Sequence, residues 1–146
     1  MSDTYSSLLS KGEQALQNGD TLLALLQLEK AYAIQALPGV KAKLAYCLAA
    51  ERRQYQQAMD LCRQALQAEP GNPDHYYQLG RICLIAGHKN QAIRYLRKGL
   101  KFKRHQPIID ELIRLGFRRD PVFSTLPREH ILNRGAGILL RKIGVR

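Results

Sequence analysis

The chain has no tryptophan, three cysteines, two methionines and three phenylalanines in 146 residues. An odd number of cysteines, at 47, 62 and 83, cannot make a fully paired disulfide framework, and their spacing offers no zinc site. Each falls on an apolar helical face, where a buried thiol in a reducing compartment is the expected state. The histidines at 75, 88, 105 and 130 form no pair one helical turn apart, so neither a metal nor any other cofactor is expected. There is no run of 18 apolar residues to cross a membrane. The first residues lack a basic region followed by an apolar core, so a cytoplasmic protein is expected rather than a secreted one. No Gly-rich phosphate loop follows a strand, and no nucleophile sits at helical spacing from a base. The expectation is a non-enzyme without a small-molecule substrate. Strand-like alternation of useful length is also missing.

Acid is scarce as well. Twelve Asp and Glu face 23 Lys and Arg, for a net charge of +11, and the excess is uneven. Residues 1–38 carry −2, residues 39–72 carry +2, residues 73–106 carry +7 and residues 107–146 carry +4. A helix across residues 90–104 would gather Arg94, Arg97, Lys98, Lys101 and Arg104 within an arc of about 120°. They would lie opposite Ala92, Leu96 and Gly99. Such a stripe reads either as a solvated outer face or as an electrostatic footprint for nucleic acid, anionic lipid or an acidic protein. No motif of an RNA-stacking kind interleaves aromatics with these charges.

What the chain does contain is repetition. Ala24, Ala58 and Ala92 are spaced by 34 residues, as are Ala31, Ala65 and Gly99, and as are Leu28, Cys62 and Leu96. A second small residue, Gly12, Ala45 or Gly80, precedes each member of the first set by 12 or 13 positions. Small residues on both helices of a hairpin let two backbones approach closely, and a fixed period near 34 marks a helical repeat array. A single hairpin cannot bury its apolar face alone, so neighbours must stack. Helices are expected at about 4–18, 21–36, 39–52, 55–68, 73–86 and 90–104. Asn72 is placed to cap a helix that Pro73 begins, Gly19 and Gly87 to turn two hairpins, and Pro38-Gly39 to turn between repeats.

Repeat three is the clearest, with Tyr76, Leu79, Gly80, Cys83, Gly87, Ala92, Leu96 and Gly99 in one register. Repeat two ends Ala65-Leu66-Gln67-Ala68-Glu69-Pro70-Gly71-Asn72-Pro73. These positions resemble the tetratricopeptide repeat over roughly residues 5–106. There are departures. Lys11 stands where the family prefers Leu, Ala36 replaces a closing proline, and one extra residue is inserted around Arg52-Arg53. The fold implied is all-α: a solenoid of three tetratricopeptide-like hairpins (about 5–37, 38–72 and 73–106), a capping helix at 107–116 and a basic tail at 117–146. Ile108, Ile109, Leu112, Ile113 and Leu115 would cover the exposed end of repeat three. In the tail, Val122, Phe123 and Leu126 suggest an extended docked segment, and residues 131–146 return to apolar and basic types. The tail could lie on the array, crossing its groove, or grip a second chain in a homo-oligomer, or rest on a membrane.

The resemblance also implies that the first helix of each hairpin lines a concave groove that holds a partner. The positions not used in packing are then Leu9, Ser10, Glu13 and Leu16; Ala42, Lys43, Tyr46 and Ala49; and Asp74, Tyr77, Gln78, Arg81 and Ile85. Leu9, Glu13, Lys43, Tyr46, Tyr77, Gln78 and Arg81 are the candidate groove. Tyr and Arg dominate binding hot spots, and Lys43 with Arg81 could hold a carboxylate. Arrays that clamp the C-terminal carboxylate of heat-shock chaperones use Lys, Asn and Arg where this chain has Leu9, Glu13, Lys43, Asp74 and Gln78, so that function is not expected. The leading expectation is an adaptor or scaffold that binds a peptide or helix segment of another protein. The alternative is a basic surface adaptor for nucleic acid or anionic membrane, acting through repeat three and the tail. Salt distinguishes them, because counterion release makes phosphate binding fall steeply with ionic strength.

Overall fold

The computed structural model describes residues 3–116; the tail at 117–146, with the docked segment expected there, lies outside the described residues. Seven helices follow one another: α1 (Tyr5–Gln17), α2 (Thr21–Ile34), α3 (Pro38–Arg52), α4 (Tyr55–Ala68), α5 (Pro73–Ile85), α6 (Lys89–Leu100) and α7 (Gln106–Arg114). No strand occurs among the described residues. Helices α1 and α2, α3 and α4, and α5 and α6 pack as hairpins. The hairpins stack through α2 on α3, through α3 and α4 on α5, and α7 packs on α6. The fold is therefore an all-α helical-repeat solenoid.

Local signals set the helix ends. Thr4, Asp20 and Asn72 cap α1, α2 and α5 by accepting from the backbone N–H groups of Ser7, Leu23 and Asp74 at 3.0–3.2 Å. Pro38 opens α3 at its first turn and does not form the expected inter-repeat turn, because a proline lacking an N–H costs nothing there. Gly19 and Gly87 leave α1 and α5 with φ of +78° and +86°. At the equivalent exit from α3 the chain has Arg53, with φ of +54°. The extra residue expected around Arg52-Arg53 is thus absorbed in a left-handed turn that normally favours glycine.

Small residues let the helices close. A Cβ at Gly12 would lie 2.9 Å from Leu28 Cγ, and one at Gly80 would lie 2.8 Å from Leu96 Cγ. At Gly99 a Cβ would meet both Tyr76 Cβ and Ile108 Cδ1 at 2.8 Å, so α5 and α7 converge on one point of α6. Ala24, Ala31, Ala58, Ala65 and Ala92 are fully buried. The main core gathers Leu25, Leu28, Leu44, Leu48, Leu61, Leu79 and Ile82. Leu96, Ile108 and Leu112 continue it under α7, with Ile109 buried and Ile113 and Leu115 half-buried. The three cysteines are free and buried. Burial pushes the Cys47 thiol up to about 12 and raises those of Cys62 and Cys83.

The turn between α4 and α5 is tied by polar contacts. Fully buried His75 places Nε2 at 2.7 Å from Glu69 Oε1. The Asn72 amide donates to Glu69 at 3.4 Å, and the Tyr76 hydroxyl donates to the Pro70 carbonyl at 3.3 Å. The bond with His75 chiefly holds the Glu69 carboxyl below its ordinary value.

Candidate functional site

Successive odd-numbered helices meet along one face. Helix α5 is packed on α3, α4 and α6, so most of its surface is covered. What remains open is a line of Asp74, Tyr77, Arg81 and Ile85, spaced by three, four and four residues, which puts them on one side of the helix, with Leu84 half-buried beside its end. Helix α3 offers Lys43 and Tyr46 in the same way, because Ala42, Leu44, Ala45, Cys47, Leu48 and Ala49 are all buried. Helix α1 offers Leu9 and Glu13, both half-buried.

Charges on these lines are paired from helix to helix. Lys43 Nζ lies 3.2 Å from Glu13 Oε1 and 3.7 Å from Asp74 Oδ2. The other oxygen of Asp74 lies 3.6 Å from His105 Nε2, and His105 Nδ1 accepts from the Ile108 N–H to cap α7. A ladder of Glu13, Lys43, Asp74 and His105 therefore links α1, α3, α5 and the start of α7. Burial pushes the Asp74 carboxyl up. The nearby His105 imidazole, the charge of Lys43 and nearby His75 outweigh that push and hold it below its ordinary value.

Beside the ladder sits an aromatic clamp. The Arg81 guanidinium carbon stands 3.4 Å from the centroid of the Tyr46 ring and 5.0 Å from that of Tyr77. Both distances are within cation–π range. Tyr77 in turn leans on the His105 ring at 5.5 Å. Burial raises the Tyr77 phenol above its ordinary value, against the nearby charge of Arg81. No carboxylate among the described residues pairs with Arg81, whose one polar side-chain contact is to Gln78 Oε1 at 3.5 Å.

The structure changes several of the expected site residues. Gln78 is 3% exposed and serves the interior of the array, because α5 is enclosed on three sides. Ala42 and Ala49 are fully buried between helices and offer no surface. Leu9 is packed against the core instead of standing free. Lys43 is already held by two carboxylates, so it does not join Arg81 in an open carboxylate site. His105 was missed altogether. Its signal was polar partners, an acid, a base, an acid and an imidazole, at intervals of 30, 31 and 31 residues, one helical turn shorter than the repeat.

The basic stripe is also altered. Helix α6 ends at Leu100, where Lys101 and Phe102 donate back to the Lys98 and Gly99 carbonyls and tighten the last turn. The chain must then become extended at His105 to cap α7. Lys101, as the C-cap with helical angles, stays in line with Arg94, Arg97 and Lys98. Arg104 lies beyond the helix and donates to Gln106 at 3.4 Å, so it leaves the stripe. All five side chains are exposed.

Among the described residues no helix is long and apolar enough to cross a membrane. A search of the curated proteins finds no match to the chain. A family model described as tetratricopeptide repeat matches residues 49–114. That span begins in α3 and covers α4 to α7, the part of the array where the small-residue register is clearest. Repeats of this family generally mediate protein–protein interaction. The repeat period, the stacked hairpins and this match over residues 49–114 are together consistent with a tetratricopeptide-repeat protein.

Proposed function

We propose that this chain is a non-enzymatic adaptor that binds a peptide or helix segment of another protein on the face formed by α1, α3 and α5. One observation carries the reading. Arg81 is fixed between Tyr46 and Tyr77 and has no carboxylate of its own among the described residues, while the neighbouring cation Lys43 has two. A guanidinium held by two rings has already given up most of its rotamer freedom, so a ligand that meets it avoids much of that ordering cost. A carboxylate or an unpaired backbone carbonyl on the partner supplies the missing acceptor, with the apolar edges of the two tyrosines as anchors.

The test is capture of partners from native cell extract by the full chain, with and without nuclease, followed by mass spectrometry. A nuclease-resistant partner should be lost on Arg81→Ala and on Tyr46→Ala with Tyr77→Ala. Its measured Kd should rise by at least tenfold for the hot-spot arginine. Circular dichroism checks that each variant keeps its helices. Capture that ignores all three side chains refutes the assignment of this face.

A further inference from the structure

A second surface lies on the last hairpin. From residue 75 to residue 109 the chain has eight Lys and Arg and no Asp or Glu. Arg94, Lys98 and Lys101 follow one another along α6 and its C-cap by four and three residues, about 6 and 4.5 Å apart along the axis. They and Lys103 are exposed, and none of the four is ion-paired within the described residues. Four cations without counter-charges on one side of a hairpin repel each other. The arrangement gains free energy from any ligand that brings a line of negative charge.

The same turn carries an exposed aromatic ring. Phe102 is 52% exposed, between Lys101 and Lys103. It is not loose. Its ring stacks on Tyr76 with centroids 5.6 Å apart and planes 13° from parallel. Tyr76 is buried, its hydroxyl donates to the Pro70 carbonyl, and Lys98 Nζ stands 5.9 Å from its ring centroid. One face of Phe102 is thus covered by a fixed partner, while about half of the residue stays exposed. A ring held flat in this way offers a platform rather than a protruding wedge. A membrane takes inserted apolar edges, whereas a planar base takes an open π-face.

We propose that this platform binds single-stranded nucleic acid: a base stacks on Phe102, and the flanking phosphates run along Arg94, Lys98 and Lys101. An exposed aromatic beside a cationic track is how sequence-tolerant single-strand binders hold their ligand. The surface lies on the second helix of the hairpin and on the turn after it, so it is separate from the protein-binding face proposed above. The adaptor would then join a protein partner to a nucleic acid.

The experiment is fluorescence anisotropy of the full chain with a labelled single-stranded oligouridylate of about 12 nucleotides, a length within the reach of one such site. Matched arms use oligothymidylate, duplex RNA, polyglutamate, and vesicles of phosphatidylcholine with phosphatidylglycerol. Both single strands should bind, and Phe102→Ala should weaken them by roughly tenfold or more. Phe102→Trp should retain binding. If Phe102→Ala loses helicity, Lys101→Glu with Lys98→Glu stands in its place. It should weaken binding and flatten the salt dependence by about 0.7 in log–log slope for each phosphate that no longer meets a cation. Binding that ignores Phe102, equal affinity for polyglutamate or duplex, or Phe102-dependent capture of vesicles without oligonucleotide binding overturns the proposal.

Discussion

Gly99→Ala tests the packing of the array directly, because local propensity and tertiary contact pull its stability in opposite directions. Alanine is worth up to about 1 kcal/mol over glycine inside a helix, and somewhat less this close to the end of α6. Against that gain, the new Cβ falls 2.8 Å from Tyr76 Cβ and 2.8 Å from Ile108 Cδ1. Both are about 0.7 Å inside the closest favourable carbon–carbon separation. Ile108 can turn its terminal carbon aside only within a fully buried pocket. Tyr76 Cβ is bonded to the backbone of α5, so relief there requires α5 and α6 to separate. Overpacking of this kind costs about 1–3 kcal/mol. The net expectation is a loss of about 1–2 kcal/mol, or roughly 4–8 °C in Tm for an array of this size.

The control is Gly39→Ala in the first turn of α3. A Cβ there meets nothing within 4 Å, so the propensity gain stands unopposed and Tm should rise. Gly12→Ala and Gly80→Ala fall between the two, because their nearest contacts are with the side chains of Leu28 and Leu96 instead of a Cβ. Thermal melts followed by circular dichroism give the ranking. A Gly99→Ala protein as stable as the parent, alongside a stabilised Gly39→Ala, would show that the hairpins do not depend on close approach at this point.

Other perturbations give results of known sign. Arg53→Gly should stabilise the array by about 1 kcal/mol, read from urea melts, since it removes a non-glycine residue from a φ of +54°. Glu69 and Asp74 both have carboxyls held below the ordinary 4.5 and 3.8, so their contribution is full above those values and is lost as pH falls through and below them. Asp74 is faced by Lys43 from α3 and by His75 and His105. Lys43→Met should therefore move the acid loss of Tm to higher pH, and an unchanged acid limb would count against the ladder. Burial raises all three thiols, Cys47 to about 12, so iodoacetamide near pH 8 should label none of them until guanidinium unfolds the chain.

The helices were legible because small residues mark every close approach at one period, and four turns carry Gly, Pro or an N-cap residue. The end of α6 was not. Lys101, Lys103 and Arg104 all favour helix, and no breaker precedes Pro107. The helix stops at Leu100 through contacts that sequence spacing does not display: Phe102 stacking on Tyr76, and His105 reaching the Ile108 N–H. Gln78 was misjudged for a related reason. Repeat position treats all first helices alike, yet α5 is enclosed by three neighbours while α1 sits at the end of the stack. Phe102 was overlooked because a single aromatic between two lysines has no pattern until its ring is seen lying on a buried tyrosine.

The charge of this protein has a geometry that its total conceals. On the odd-helix face the cations Lys43 and Arg81 lie among the carboxylates of Glu13 and Asp74, so opposite charges offset one another a short distance away. On the adaptor reading proposed above, recognition there depends on contact: the Arg81 donors, two tyrosine rings and shape. On α6 and the turn after it no acid intervenes, and the potentials of Arg94, Lys98, Lys101 and Lys103 add. Added fields reach a Debye length, about 8 Å at physiological ionic strength, and shrink as salt rises. One protein therefore carries a short-range surface and a long-range surface on opposite members of the same hairpin. Salt should weaken α6 first and leave the Tyr46–Arg81–Tyr77 clamp nearly unaffected, so ionic strength alone can separate two partners bound at once.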